Sequence, residues 1–222
     1  GTFTFVGFYD LEVNKFEVLL SAQDMFYNHT LYYPTDPHQL YFCHEWWRHP
    51  VTDTYNAIDH RIWVMRTDDN MPARPLLDEN VWGQPTHEWW APSGDALYSI
   101  INDKAVVRID LETGNTQCIW NGPHCHAHCD KQERYFVADQ NTYMGIPIDI
   151  YLYDRLTQCQ WPLRIGQPQG PKAVNRYYHL DPHPQISPQN TMVCYYSNLH
   201  GMADICLCPV NHLIKESNNE AY

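Results

Sequence analysis

Positive charge is scarce in this sequence. Fourteen Lys and Arg stand against 26 Asp and Glu among 222 residues, a formal net charge of −12. So acidic a chain excludes a general nucleic-acid binder, whose affinity rests on clustered basic side chains. It also means that an anionic ligand needs a local positive centre to overcome the global field. No apolar run reaches membrane-spanning length, so no membrane association is expected of these residues. Nothing resembles a secretory signal or a low-complexity tract. Helical periodicity is hard to find as well. Short strand-like runs separated by Asp, Asn, Pro and Gly dominate. What is present suffices for a sizeable core: 44% hydrophobic residues, with 16 Tyr and 8 Trp. There are 8 Cys, most of them inside apolar runs, where a free thiol behaves as a small hydrophobe. The chain is neither short nor loop-dominated, so reduced thiols and a cytoplasmic location are expected rather than a disulfide framework.

A histidine recurs four times in one local frame. The copies begin Asn28-His29, Thr86-His87, Cys125-His126 and Pro182-His183. Pro34, Pro92 and Pro188 follow three of them at the same offset, and Lys131 takes that place in the third copy. After each comes an apolar strand: Leu40-Tyr-Phe-Cys43, Ala96-Leu-Tyr-Ser-Ile100, Arg134-Tyr-Phe-Val-Ala138 and Thr191-Met-Val-Cys-Tyr-Tyr196. A second strand and a turn follow, as in Ala105-Val-Val-Arg-Ile109 before Glu112-Thr-Gly-Asn115. The histidines lie 58, 39 and 57 residues apart. That average sits near the ~40–50-residue period of propeller blades. The expected fold is therefore all-β: a β-propeller of four-stranded blades, with the chain 1–222 forming one partial propeller domain of about four blades. In such a fold the innermost strands face one channel. Residues that open them, here His29, His87, His126 and His183, are brought to one mouth. The opening residues, Thr2 to Lys15, look like the outer hairpin of a blade without its inner strand. A propeller left unclosed exposes sheet edges, which suggests the C-terminal part of a longer one.

A set of motifs recurs in order along the chain. They are Phe42-Cys-His-Glu45, Asp59-His-Arg-Ile-Trp63, Thr86-His-Glu-Trp-Trp-Ala-Pro92, the His-rich run at 124–128 before Phe136-Val-Ala-Asp139, and Asp181-Pro-His-Pro184 before Ser187-Pro188. Together they resemble the oligogalacturonate lyases, polysaccharide lyase family 22. The resemblance runs from about Asn28 to Val210. It implies a seven-bladed propeller, of which this chain would supply roughly the last four blades. It also implies cleavage of short pectin-derived uronides by β-elimination in the cytoplasm, with a divalent cation, usually manganese.

The resemblance implies roles for particular residues. His126 and His183 match metal ligands. Asp181 stands where the family carries a further histidine, and Tyr178 where it carries a glutamine. A carboxylate still suits a hard divalent ion such as manganese, and His179 or water is left to complete the set. His87 matches the general base; neutral imidazole suits both tasks near neutral pH. Arg61 matches an arginine that contacts substrate or supports the base, and it can pair bidentately with a uronate carboxylate. His29 and His44 are candidate substrate contacts. Plainer readings stand beside these. His87 can be a packed histidine against Trp89 and Trp90, and Arg61 an ion-paired strand-end residue. His44 and Glu45 can simply shape a loop, and the paired tryptophans can pack between blades.

The run His124-Cys-His-Ala-His-Cys129 also has the makings of a zinc site. In a regular strand, however, His124, His126 and His128 share one face, while Cys125 and Cys129 share the other. A mixed Cys–His site is therefore not expected there, whereas an all-His site including His128 stays open. A non-catalytic scaffold like the six-bladed TolB propellers, or an inactive part of a lyase, are the competing readings.

Overall fold

A computed structural model describes residues 3–46, 51–55, 58–69, 71–102, 104–140, 147–167 and 181–220. The chain divides into two compact units, one of residues 1–85 with 111–115, the other of residues 86–110 with 116–222.

In the first unit, β1 (Phe3–Asp10) and β2 (Lys15–Gln23) form a two-stranded antiparallel sheet. Strands β3 (Tyr27–Tyr33), β4 (Asp36–His44), β5 (Ile62–Arg66) and β6 (Arg74–Pro75) then pair in sequence order as a four-stranded meander, followed by a one-turn helix, α1 (Glu79–Trp82). Continuous apolar runs in β4 and β5 bury Leu40, Tyr41, Phe42, Cys43 and Ile62. Trp63 stacks on Phe42, its neighbour across the two strands.

The second unit repeats the meander. One sheet contains β7 (Pro85–Trp90), β8 (Ala96–Ile101), β9 (Ala105–Asp110) and β10 (Thr116–Asn121). Another contains β11 (His124–Cys129), β12 (Tyr135–Gln140), β13 (Ile148–Asp154) and β14 (Gln160–Gln167). A three-stranded sheet follows, of β15 (Gln185–Ile186), β16 (Met192–Ser197) and β17 (Asp204–Pro209). The second strands β8 and β12 are buried along their whole length, because they are covered on both faces. Large aromatics fill the space between the first two of these sheets. Trp120 stacks on Tyr153 of the next sheet with ring centroids 4.9 Å apart, while Trp89, stacked on Tyr98 of its own sheet at 5.1 Å, reaches across so that its Nε1–H donates to Cys129 Sγ at 3.5 Å. Such offset pairs add to the hydrophobic gain from burying the rings. Trp89 is thus a packing residue between blades.

Two helices occur among the described residues, with no helical periodicity in the sequence to announce them. The longer, α2 (Asn211–Glu220), begins right after β17. It lays Leu213 and Ile214 against a cluster of Tyr135, Val137, Leu152, Ile186, Val193 and Val210. That contact, rather than intrinsic propensity, holds so short a helix.

The meander explains why the register histidines are special. Each opens the first strand of its sheet or just precedes it. Three of the four have left-handed backbone: φ is 51° at His29, 52° at His87 and 45° at His183. A non-glycine residue adopts this conformation rarely, and such residues cluster at functional sites. The fourth, His126, sits in a register shift between His124 and Ala127. The β3 strand carries the matching irregularity between Asn28 and Leu31. All four copies therefore interrupt the regular pleat, which re-aims the side chains that follow.

Candidate metal centre

The second unit gathers four of the residues singled out in the sequence. His126, Asp181 and His183 each offer a ligand atom, and these atoms lie within 4.8 Å of one another. The rings of His126 and His183 approach with centroids 3.6 Å apart. His87 lies on the other side of the His126 ring, edge to face, at 4.2 Å. His126 and Asp181 are buried, His87 is half-buried and His183 is exposed, so the group opens to solvent on one side.

The arrangement is held by Asp139 on β12, which is fully buried. The backbone N–H of His126 donates to its Oδ1 at 2.7 Å, and His126 Nδ1 pairs with Oδ2 at 2.9 Å. The backbone N–H of His183 donates to the same Oδ2 at 3.1 Å. One carboxylate thus fixes two chain segments and one ring. Because a carboxylate only accepts, His126 carries its proton on Nδ1 and turns the Nε2 lone pair outward. Carboxylates play this part behind metal-bound imidazoles, where they set the tautomer and raise ligand basicity. Two imidazole nitrogens and a carboxylate oxygen form a donor set suited to a divalent ion of the manganese type. The residues present fit such a group.

The sequence pattern alone assigns no site role to Asp139 or Cys125. Asp139 is only the end of the motif Phe136-Val-Ala-Asp139. Its signal was an acid set in an otherwise buried apolar strand, since such a charge needs partners. Cys125 corrects an argument from strand periodicity. Its Sγ lies 3.6 Å from His87 Nε2 and 3.7 Å from His126 Nε2, and the three residues form a second group of ligand atoms within 4.8 Å. The register shift in β11 breaks strict alternation, so a cysteine and the adjacent histidine reach one place.

The remaining histidines of the run go elsewhere. His124 is fully buried against Trp120, ring centroids 4.1 Å apart, and burial pushes its pKa down to about 4. Burial also lowers the pKa of His128, partly offset by Asp130. Among the described residues neither joins a ligand group, so an all-His site including His128 is not formed there. Tyr178 and His179 lie outside the described residues.

The other candidates belong to the first unit. Arg61 is only 5% exposed and its guanidinium is ion-paired with Glu45. Its backbone N–H donates to the Glu79 carboxylate, and its carbonyl accepts from the His44 N–H at 2.7 Å. His44 is buried edge-on to Tyr27, with ring centroids 5.5 Å apart. Burial lowers its pKa, partly offset by Asp59 and Glu45. His29 is exposed on β3.

Comparison with known proteins points the same way. No family model matches the chain. It is 24% identical to an oligogalacturonide lyase of Pectobacterium atrosepticum over 226 aligned residues, and 28% identical to an oligogalacturonate lyase of Dickeya dadantii over 221. Each alignment covers 90% of this chain and 54% of the relative, so the chain spans about half the length of the curated relatives it matches. Among solved structures, an oligogalacturonate lyase in complex with manganese superposes with a TM-score of 0.72 at 22% identity, covering 90% of this chain and 52% of that one. A putative TolB from Agrobacterium tumefaciens follows at 0.62 and 12% identity, covering 91% and 65%. These likenesses show the fold class, an all-β propeller of meander blades. The resemblance to oligogalacturonate lyases noted in the sequence stands.

Proposed function

We propose that the chain carries the metal centre and base of a divalent-cation-dependent lyase that cleaves short pectin-derived uronides by β-elimination. The observation that carries this reading is the convergence of His126, Asp181 and His183 on one place, with Asp139 orienting the first and anchoring the last. The manganese held by a structurally similar lyase supports the choice of cation.

In a uronide the C6 carboxylate adjoins C5. Removal of the C5 proton pushes its electron pair toward that carboxylate, a C4–C5 double bond forms, and the C4 oxygen leaves with the bonding pair. A divalent ion, when bound, supplies positive charge for the carboxylate as charge builds up there. His126, Asp181 and His183 would hold it. In this acidic chain such a local centre is what an anionic substrate requires. His87 stands beside His126 with its Nε2 turned toward the same region, and is the proposed base for the C5 proton. The parts proposed for Arg61, His29 and His44 in holding substrate rest on the sequence: on the resemblance for Arg61, on the repeat register for His29 and on its place after a strand for His44. The expected product tautomerises to a 4-deoxy-5-keto uronate, and the setting proposed is cytoplasmic. The experiment is turnover of an unsaturated digalacturonate, followed by thiobarbituric-acid-reactive product. Activity abolished by chelation and restored by manganese supports the reading. Absence of product with manganese present overturns it.

A further inference from the structure

Cys125, which forms a second ligand group with His87 and His126, has no part in the elimination chemistry above. The group has a specific geometry. Two imidazole Nε2 atoms face one sulfur, at 3.6 and 3.7 Å. Zinc binds sulfur at about 2.3 Å and imidazole nitrogen at about 2.0–2.1 Å, which at a tetrahedral angle sets a sulfur–nitrogen edge of about 3.6 Å. The spacing found is therefore that of two edges of a tetrahedral site. Cys125 is 1% exposed and His126 5% exposed, so these two ligands are held by the surrounding packing. Asp139 fixes the tautomer of His126 that leaves Nε2 able to bind. Thiolate with imidazole selects thiophilic ions, zinc above all, whereas carboxylate with imidazole suits manganese.

We propose that His87, Cys125 and His126 form a second cation site, for zinc and similar thiophilic divalent ions, which shares His126 with the first. The shared ring makes the two sites mutually exclusive. On binding, the Cys125 thiol proton leaves to water and the sulfur bonds to the ion as thiolate. Occupation also ties up the Nε2 lone pair of His87, so the same event withdraws the proposed base. This consequence rests on the lyase reading; the site itself does not.

The test uses cobalt as a spectroscopic stand-in for zinc. Cobalt added to the wild-type chain is expected to give an intense near-ultraviolet thiolate-to-metal charge-transfer band, which stoichiometric zinc erases and which manganese alone never produces. The band is expected to vanish in Cys125→Ser and to persist in His183→Ala, which lacks a ligand of the first group only. Calorimetry on the same samples reports whether metal binds at all. Cobalt bound without the band overturns the proposal and leaves the His126–Asp181–His183 reading standing. Loss of the band in His183→Ala places sulfur and His183 on one ion and overturns a separate site. Failure of both cobalt and manganese to bind overturns both readings.

Discussion

Replacing Asp139 by asparagine keeps the shape of the side chain and removes its ability to accept at both oxygens. In the native chain Oδ1 accepts from the His126 N–H, while Oδ2 accepts from His126 Nδ1 and the His183 N–H. Asparagine has one oxygen and one NH2. With the NH2 in the Oδ1 position, two N–H groups face each other at the His126 backbone. With the NH2 in the Oδ2 position, the His183 N–H loses its acceptor and His126 Nδ1 must itself accept. The His126 proton then moves to Nε2, the atom that a metal needs. Either way a backbone donor loses its acceptor, and where that donor is the buried His126 N–H the cost is about 1–3 kcal/mol in stability. Loss of such an orienting carboxylate typically weakens metal binding 10–100-fold, about 1.4–2.7 kcal/mol. We expect Asp139→Asn to raise the manganese dissociation constant by that factor, measured from the free-ion paramagnetic resonance signal. Thermal melting of the metal-free protein separates the two effects. A folded Asp139→Asn protein with wild-type manganese affinity would refute the role given to this residue.

Three further outcomes follow from the same geometry. His87→Ala should lower the elimination rate by about 10²–10⁴-fold, the usual worth of a general base, with manganese affinity unchanged by titration; an equal loss of affinity would make His87 a ligand of the first site. Arg61→Ala leaves Glu45 without its buried partner and should destabilise the chain by about 3 kcal/mol; an unchanged denaturant midpoint would show the pair to be dispensable. Burial holds the His44 pKa below its ordinary value, so as pH falls below about 6.5 the unfolded chain takes up that proton first. Stability should fall with pH through this window, and His44→Gln should flatten the slope; identical slopes for the two proteins would contradict it.

The register of the four histidines was legible because each blade begins with the same local frame. The structure adds a reason for the frame: left-handed backbone at His29, His87 and His183, and a register shift at His126. The meander could be read from strand and turn patterns, and the packing of Trp89 between sheets from the bulk of its ring. Cys125 was misplaced because period-2 reasoning assumes an unbroken pleat, and a single irregularity in β11 brings it beside its neighbour's ring. Asp139 could not be assigned a role, since its partners come from β11 and from a residue far along the chain. Helix α2 went unseen because it depends on docking Leu213 and Ile214 rather than on a strong repeat of its own.

Crystals grown with manganese, and diffraction recorded at its absorption edge, give the most direct test. One anomalous peak bonded jointly by His126, Asp181 and His183, with Asp139 still paired to the His126 ring, is the result expected. A peak elsewhere in the chain, or none under saturating manganese, would contradict the account.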